Sequence, residues 1–128
     1  NREGEFMNGY ETIFIVKPSL SDDEVAKVAE KIKGVIQKAG GEVVVTENWG
    51  KKKLAYEVRK EKKGTYLIAH FKGTGTTVSE LERSYRLDES IIKFITIKIP
   101  LDKLGKTLPA RDEKPASSYR DRESVGER

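Results

Sequence analysis

The feature that most constrains this chain is an extended pattern that runs from Glu42 to Arg59 with a single glycine, Gly50, near its middle. Ordinary strands run to about 5–6 residues, so a stretch of this length cannot lie flat in a small sheet. A glycine inside a strand pattern marks a bulge or a sharp bend. The segment Trp49-Gly50-Lys51-Lys52-Lys53-Leu54-Ala55-Tyr56-Glu57-Val58 therefore reads as part of one long, bent strand that presents adjacent cations. Three lysines ahead of a Leu-Ala-Tyr core are poor material for catalysis and good material for contacting an anionic polymer.

The rest of the chain is arranged around that strand. Tyr10 to Lys17 alternates with apolar residues on both faces, the mark of a central strand, and Pro18 closes it. Ser21-Asp22-Asp23-Glu24 is a capping box whose carboxylates suit a helix N-terminus. Val25, Val28, Ala29, Ile32, Val35, Ile36 and Ala39 then follow a 3.6-residue period up to a left-handed stop at Gly40-Gly41. After the long strand, Lys60 to Gly64 reads as a charged turn and Thr65 to Lys72 as the antiparallel return strand. Thr77-Val78-Ser79-Glu80 repeats the capping pattern and opens a shorter helix with Val78, Leu81 and Tyr85 inward. Ile91 to Ile99 is a β-branched fourth strand ended by Pro100.

The order β-α-β-β-α-β, with right-handed crossovers, predicts an α+β, ferredoxin-like fold: a four-stranded antiparallel sheet with both helices on one face. The opposite face is then open and carries Glu11, Ile13, Ile15, Tyr66, Ile68 and His70. An apolar open face on a small domain marks a binding surface. Residues 7–99 form the domain. Residues 1–6, with Glu5-Phe6 ahead of Met7, look like an expression scar, and 100–128 read as a flexible charged tail with little to bury.

Composition removes several classes of function. There is no cysteine and one histidine, so neither disulfides, thiol chemistry nor a histidine-based metal site is expected. No cofactor and no small-molecule substrate are expected, and no apolar run reaches the roughly 18 residues of a membrane span. A reducing cytoplasm fits best, and abundant Lys and Glu with no Cys resemble thermophile usage. A net charge of +4 favours an anionic partner mildly.

Tyr10 to Pro18, Gly40-Gly41, Trp49-Gly50-Lys51-Lys52-Lys53-Leu54-Ala55-Tyr56 and Gly64-Thr65-Tyr66 fall in order and together resemble the bacterial ribosomal protein S-six family. The resemblance covers roughly Met7 to Ile99. It implies a ferredoxin-like fold, a non-enzymatic role in the small ribosomal subunit, binding to the central domain of 16S ribosomal RNA, and pairing with ribosomal protein S-eighteen. Relatives often carry arginine where this chain has Lys93, which weakens the case for a bidentate RNA contact there.

The residues themselves give the candidate surfaces. Lys51, Lys52 and Lys53, with Arg83, Arg86, Lys93 and Lys98, are candidate RNA contacts; the bland alternative is a solvated edge that discourages aggregation. Ile13, Ile15, Trp49, Tyr66 and Ile68 are candidate partner contacts, against core packing for Trp49 and plain sheet cover for Tyr66. Lys63-Gly64-Thr65-Tyr66-Leu67 fails the RNA-recognition-motif pattern where the stacking aromatics belong. Acylphosphatase-like chemistry lacks its arginine and asparagine in the loop Pro18-Ser19-Leu20, and a ligand-sensing or protein-interaction module without RNA is the runner-up.

Overall fold

The structure is a computed structural model and describes residues 6–106. In chain order the elements are β1 (Asn8–Val16), α1 (Asp22–Lys38), β2 (Glu42–Val58), β3 (Glu61–Gly73), α2 (Gly75–Leu87) and β4 (Ile91–Ile99), followed by a 3-10 turn, Leu101–Lys103. The sheet is antiparallel throughout, in the order β2-β3-β1-β4. This is the expected ferredoxin-like arrangement.

Local chemistry explains the helix starts. Ser21 Oγ accepts from the Glu24 amide at 3.2 Å, and Glu24 Oε1 accepts from the Ser21 amide at 2.8 Å. The second helix begins one turn earlier than Thr77-Val78-Ser79-Glu80 predicts. Thr74 is its N-cap, and the Thr77 hydroxyl both closes that box and donates to the Ala39 carbonyl at 3.0 Å. Thr77 is fully buried because it ties the start of α2 to the end of α1; a threonine so engaged cannot also cap from outside.

The helix-covered face holds the main core. Phe14, Val16, Leu67 and Phe71 from the sheet meet Val25, Ile32, Ile36, Leu81 and Tyr85 from the helices. A buried polar group between the sheet and α2 is satisfied: Tyr85 OH shares a hydrogen bond with Thr12 Oγ1 at 2.7 Å, and Thr12 Oγ1 another with Thr96 Oγ1 at 2.8 Å. Burial pushes the Tyr85 phenol well above its ordinary range, so it stays protonated.

The other face carries the predicted residues, paired across β1 and β3 as Glu11–His70, Ile13–Ile68 and Ile15–Tyr66. It is not open. Ile13, Ile15, Ile68 and His70 are all buried, at 6%, 5%, 1% and 1% exposure. Two segments of the chain itself cover this face.

The first is the β2–β3 hairpin. Pairing of β1 with β3 ends at Val16–Thr65, whereas β2 and β3 run on together beyond that point. The β2 register slips between Val43 and Val45, between Asn48 and Gly50, and between Lys53 and Val58. Gly50 takes φ +86, a conformation that only glycine adopts without strain. At Gly64 a Cβ atom would collide with the Ile15 side chain, so glycine lets the bent arm lie directly on β1. Leu54 on the arm consequently packs with Ile15 and Ile92.

The predicted turn over Lys60 to Gly64 is in fact two residues, Arg59 and Lys60, with Glu61–Gly64 already in β3. Arg59 at φ +51 and Lys60 at φ +67 occupy positions where Asn-Gly is usual. Left-handed backbone costs about 1–2 kcal/mol per such residue, and the packing of the arm offsets it.

The second cover is the start of the expected tail. Over Pro100 to Lys106 the chain turns back beneath β1, with Leu104 against Gly9, where a Cβ would stand 3.2 Å from Leu104 Cγ. The Gly105 amide donates to His70 Nδ1 at 2.8 Å. The fold therefore continues past Pro100: Leu104 packs against β1, and a backbone donor meets a buried acceptor. Residues 1–5 and 107–128, which hold most of the proposed scar and tail, lie outside the described residues.

Candidate nucleic-acid interface

Bending the hairpin sorts its side chains. Lys51 and Lys53 are exposed and share the outward side, whereas Lys52 is half-buried. Lys53 sits directly opposite Lys63 in the ladder, and like charges so placed repel. Arg59, Lys60 and Lys62 continue the exposed charge to the tip. Repelling cations held on a strained turn are a costly way to build a mere solvated edge, and a suitable way to meet a polyanion. Sequence alone points to Lys51 to Lys53 and not to Arg59, Lys60, Lys62 and Lys63. Arg59 reads as the end of the long strand and Lys60 to Gly64 as a charged turn; the two-residue turn puts all four on the same arm.

The candidates elsewhere separate. On α2, Arg83 Nη1 lies 3.7 Å from Glu80 and Arg86 Nη2 lies 3.7 Å from Glu82, with both arginines largely exposed. Burial raises the Glu82 carboxyl above its ordinary range, with Arg86 pulling the other way. The Arg86 guanidinium also sits 5.7 Å from the centre of the Phe94 ring.

Lys93 is not a surface cation. It is 7% exposed, and its Nζ rests 3.7 Å from the centre of the Tyr56 ring. Its charge is held by the π-face of the arm, which corrects the expectation of a direct phosphate contact. Lys98 is exposed but pairs with Tyr10. It lies five residues further along β4, roughly 16 Å from Lys93 at strand rise, so it is not part of the same surface.

The proposed partner residues also need revising. Ile13 and Ile68 form a buried cluster with Ile95, against which Trp49, Tyr66 and Ile97 pack half-buried. Ile15 lies beneath Leu54. Ile15 is interior because the arm covers it, and Ile13 and Ile68 because Trp49, Tyr66, Ile95 and Ile97 pack around them, so the accessible margin of the patch is Trp49, Tyr66 and Ile97. Trp49 Nε1 donates to Glu47 Oε1 at 2.9 Å, which fixes the ring on the sheet.

His70 serves packing. An amide can only donate, so the Gly105 bond leaves Nδ1 unprotonated and puts the ring proton on Nε2, which donates to Glu11 Oε1 at 3.0 Å. Both residues are buried, at 1% and 3% exposure. Among the described residues no group of three His, Asp or Glu side chains could hold a metal ion, and no helix is long and apolar enough to cross a membrane.

Comparison with known proteins places this geometry in context. Residues 9–98 match the model of a family described as ribosomal protein S6. The small ribosomal subunit protein bS6 of Syntrophobacter fumaroxidans is 50% identical over 93 residues, 73% of this chain; the chain spans 63% of that relative's length. The corresponding protein of Bacteroides thetaiotaomicron is 44% identical over 93 residues, 82% of its own length. The crystal structure of ribosomal protein S6 from Thermotoga maritima superposes with a TM-score of 0.70 at 30% identity, over 73% of this chain and 89% of that one.

Proposed function

Because this chain belongs to the ribosomal protein S6 family, a structural and non-enzymatic component of the bacterial small ribosomal subunit, we propose that it binds the central domain of 16S ribosomal RNA jointly with ribosomal protein S-eighteen. The observation that carries the reading is the hairpin arm, which gathers Lys51, Lys53, Lys63 and the Arg59-Lys60 tip on a strand pair that overshoots the sheet. Phosphate contacts by such side chains supply affinity and position, not base recognition.

The charge balance supports a shared interface. Residues 7–99 hold seventeen Lys and Arg against thirteen Asp and Glu, a surplus of four. Few of these cations lie together outside the arm, so the electrostatic attraction of this chain alone is modest. A protein partner resting on Trp49, Tyr66 and Ile97 would add cations beside the arm and complete the surface. In this reading the folded unit is residues 7–106, with the tail starting after it.

The test is filter binding of this protein, of the partner and of both to small-subunit RNA near physiological salt. The pair is expected to bind specifically and far more tightly than either alone. Replacing Lys51, Lys53 and Lys63 by glutamine should lower the log–log salt slope by roughly 0.7–0.9 per lost contact. Specific nanomolar binding by this protein alone, or an unchanged slope in the variant, would overturn the reading.

A further inference from the structure

Folding the arm over the sheet leaves a groove of about 490 Å³ between the arm, the end of α2 and the start of β4. We propose that this groove takes one unpaired, unstacked nucleotide of an RNA strand, with its base against Tyr56 and Arg86 and its phosphate on Arg59. The proposal rests on the RNA-binding reading above and adds the mode of contact to it.

The size is that of a small-molecule pocket, which generally falls between about 300 and 1,000 Å³. Three cations line it, Arg59, Arg86 and Lys93, against the carboxylate of Glu57. They play different parts. Lys93 is already seated beneath the Tyr56 ring and acts as a strut that holds the ring in place. Arg59 donates from Nη1 to the Ile91 carbonyl at 3.4 Å, which anchors its guanidinium at the mouth with one of its five donors. The nearest Glu82 oxygen is 3.7 Å from Arg86 Nη2, beyond hydrogen-bond length, and the guanidinium lies over Phe94. An exposed planar cation backed by an aromatic ring is a stacking platform for a base.

The Tyr56 ring, 41% exposed, stands at the arm side of the same groove. A base within a duplex already stacks on its neighbours and cannot reach either surface; a base splayed from a loop or bulge can. Stacking of this kind tolerates any base, so the site would select for strand structure and not for sequence. Arg59 stands at the tip of the arm that carries Lys51 and Lys53, and its bond to the Ile91 carbonyl brings its guanidinium to the start of β4.

The experiment uses the full chain at low salt. Amide chemical shifts and fluorescence anisotropy are followed with three probes: a single-stranded decaribonucleotide, an RNA duplex of the same length, and inorganic phosphate. The single strand is expected to shift the amides of Tyr56, Arg86 and Phe94 and to bind at least tenfold more tightly than the duplex. The double variant Arg59→Gln, Arg86→Gln, both at exposed positions, should lose roughly tenfold or more for the single strand, the scale of one lost base stack, and little for the duplex. The variant Lys51→Gln, Lys53→Gln should weaken both probes alike. Tyr56→Leu is a further probe, and the arginine pair keeps the test decisive if that variant unfolds. Equal affinity for strand and duplex, an unchanged single-strand affinity in the arginine variant, or the same shifts and full competition by inorganic phosphate would each overturn the groove. If intact small-subunit RNA is still bound by this protein and its partner in those cases, only the groove has failed. If no RNA binds the wild-type chain with or without the partner, the underlying RNA reading has failed, and the groove with it.

Discussion

The two faces of the sheet are buried by different means. On one, two amphipathic helices lay regular stripes of Val25, Val28, Ile32, Ile36, Leu81 and Tyr85 onto Phe14, Val16, Leu67 and Phe71. On the other, neither α1 nor α2 packs, and the cover is improvised from a bent hairpin at one end and the segment Pro100 to Lys106 at the other. The helix-covered face is held by area and close packing. The other is held by a few particular contacts: a glycine under the arm, an ammonium on a ring, an amide on an imidazole. Stability in the first is spread over many residues, whereas in the second it is concentrated, and the arm that supplies part of that cover also carries Lys51, Lys53 and Lys63.

The largest expected effect lies on the helix side. Phe71→Ala removes a ring that is fully buried and stacked on Tyr10 at 5.3 Å, and should cost about 3–5 kcal/mol in urea unfolding. A much smaller loss would mean that the helix layer is not the main core, and the contrast between the faces would collapse.

Gly64→Ala comes next. The added methyl meets Ile15, and overpacking of this kind costs about 1–3 kcal/mol. The arm should lift as it does so, which separates Lys93 from Tyr56 and increases exchange of the arm amides, while amides in α1 remain protected. If protection falls equally on both faces, the arm is not an independent cover.

Truncation after Ile99 should cost about 1–2 kcal/mol, because it strips the Gly105 donor from buried His70 and leaves that acceptor unsatisfied. The thermal midpoint should fall by several degrees. An unchanged midpoint would show that the C-terminal turn rests on the sheet without stabilising it, and would restore Ile99 as the functional end of the domain.

The smallest effect is a pH dependence on the helix side. Burial raises the Asp88 carboxyl, but hydrogen bonds from Ser90 and Lys31, with the charge of Lys31, outweigh it and hold the group below its ordinary value of 3.8. A carboxylate whose folded pKa is depressed contributes stability above its unfolded pKa and loses it as pH falls through the folded one. Acid titration below about pH 4 should therefore weaken the wild type, and Asp88→Asn should flatten that limb. An identical acid limb in the variant would assign it to other carboxylates.

Legibility divided along the same line as burial. The strand and helix order, the α1 capping box, the bend at Gly50 and the set of residues on each sheet face could all be read from the chain, because each is written in a short period or a local cap. The second helix start was missed by one turn because Thr77 looked like a cap and is instead buried against Ala39. Lys93 looked like a phosphate ligand because its charge is visible in sequence, whereas the Tyr56 ring that holds it is 37 residues away along the chain.

By itself, then, the sequence determined the fold class, the long bent strand and the family, since periodicity, capping and the Trp-Gly-Lys-Lys-Lys-Leu-Ala-Tyr segment are properties of neighbouring residues. Only the tertiary structure decided that the second sheet face is covered, that Ile13, Ile15 and Ile68 are interior, and that Leu104 and Gly105 belong to the fold. The reason is geometric. A strand's period says which residues share a face, but what lies on that face depends on where bulges and glycines send the chain next. The reversal of φ to positive values at Gly50, Arg59 and Lys60 redirects a rigid hairpin by an amount that no local pattern records.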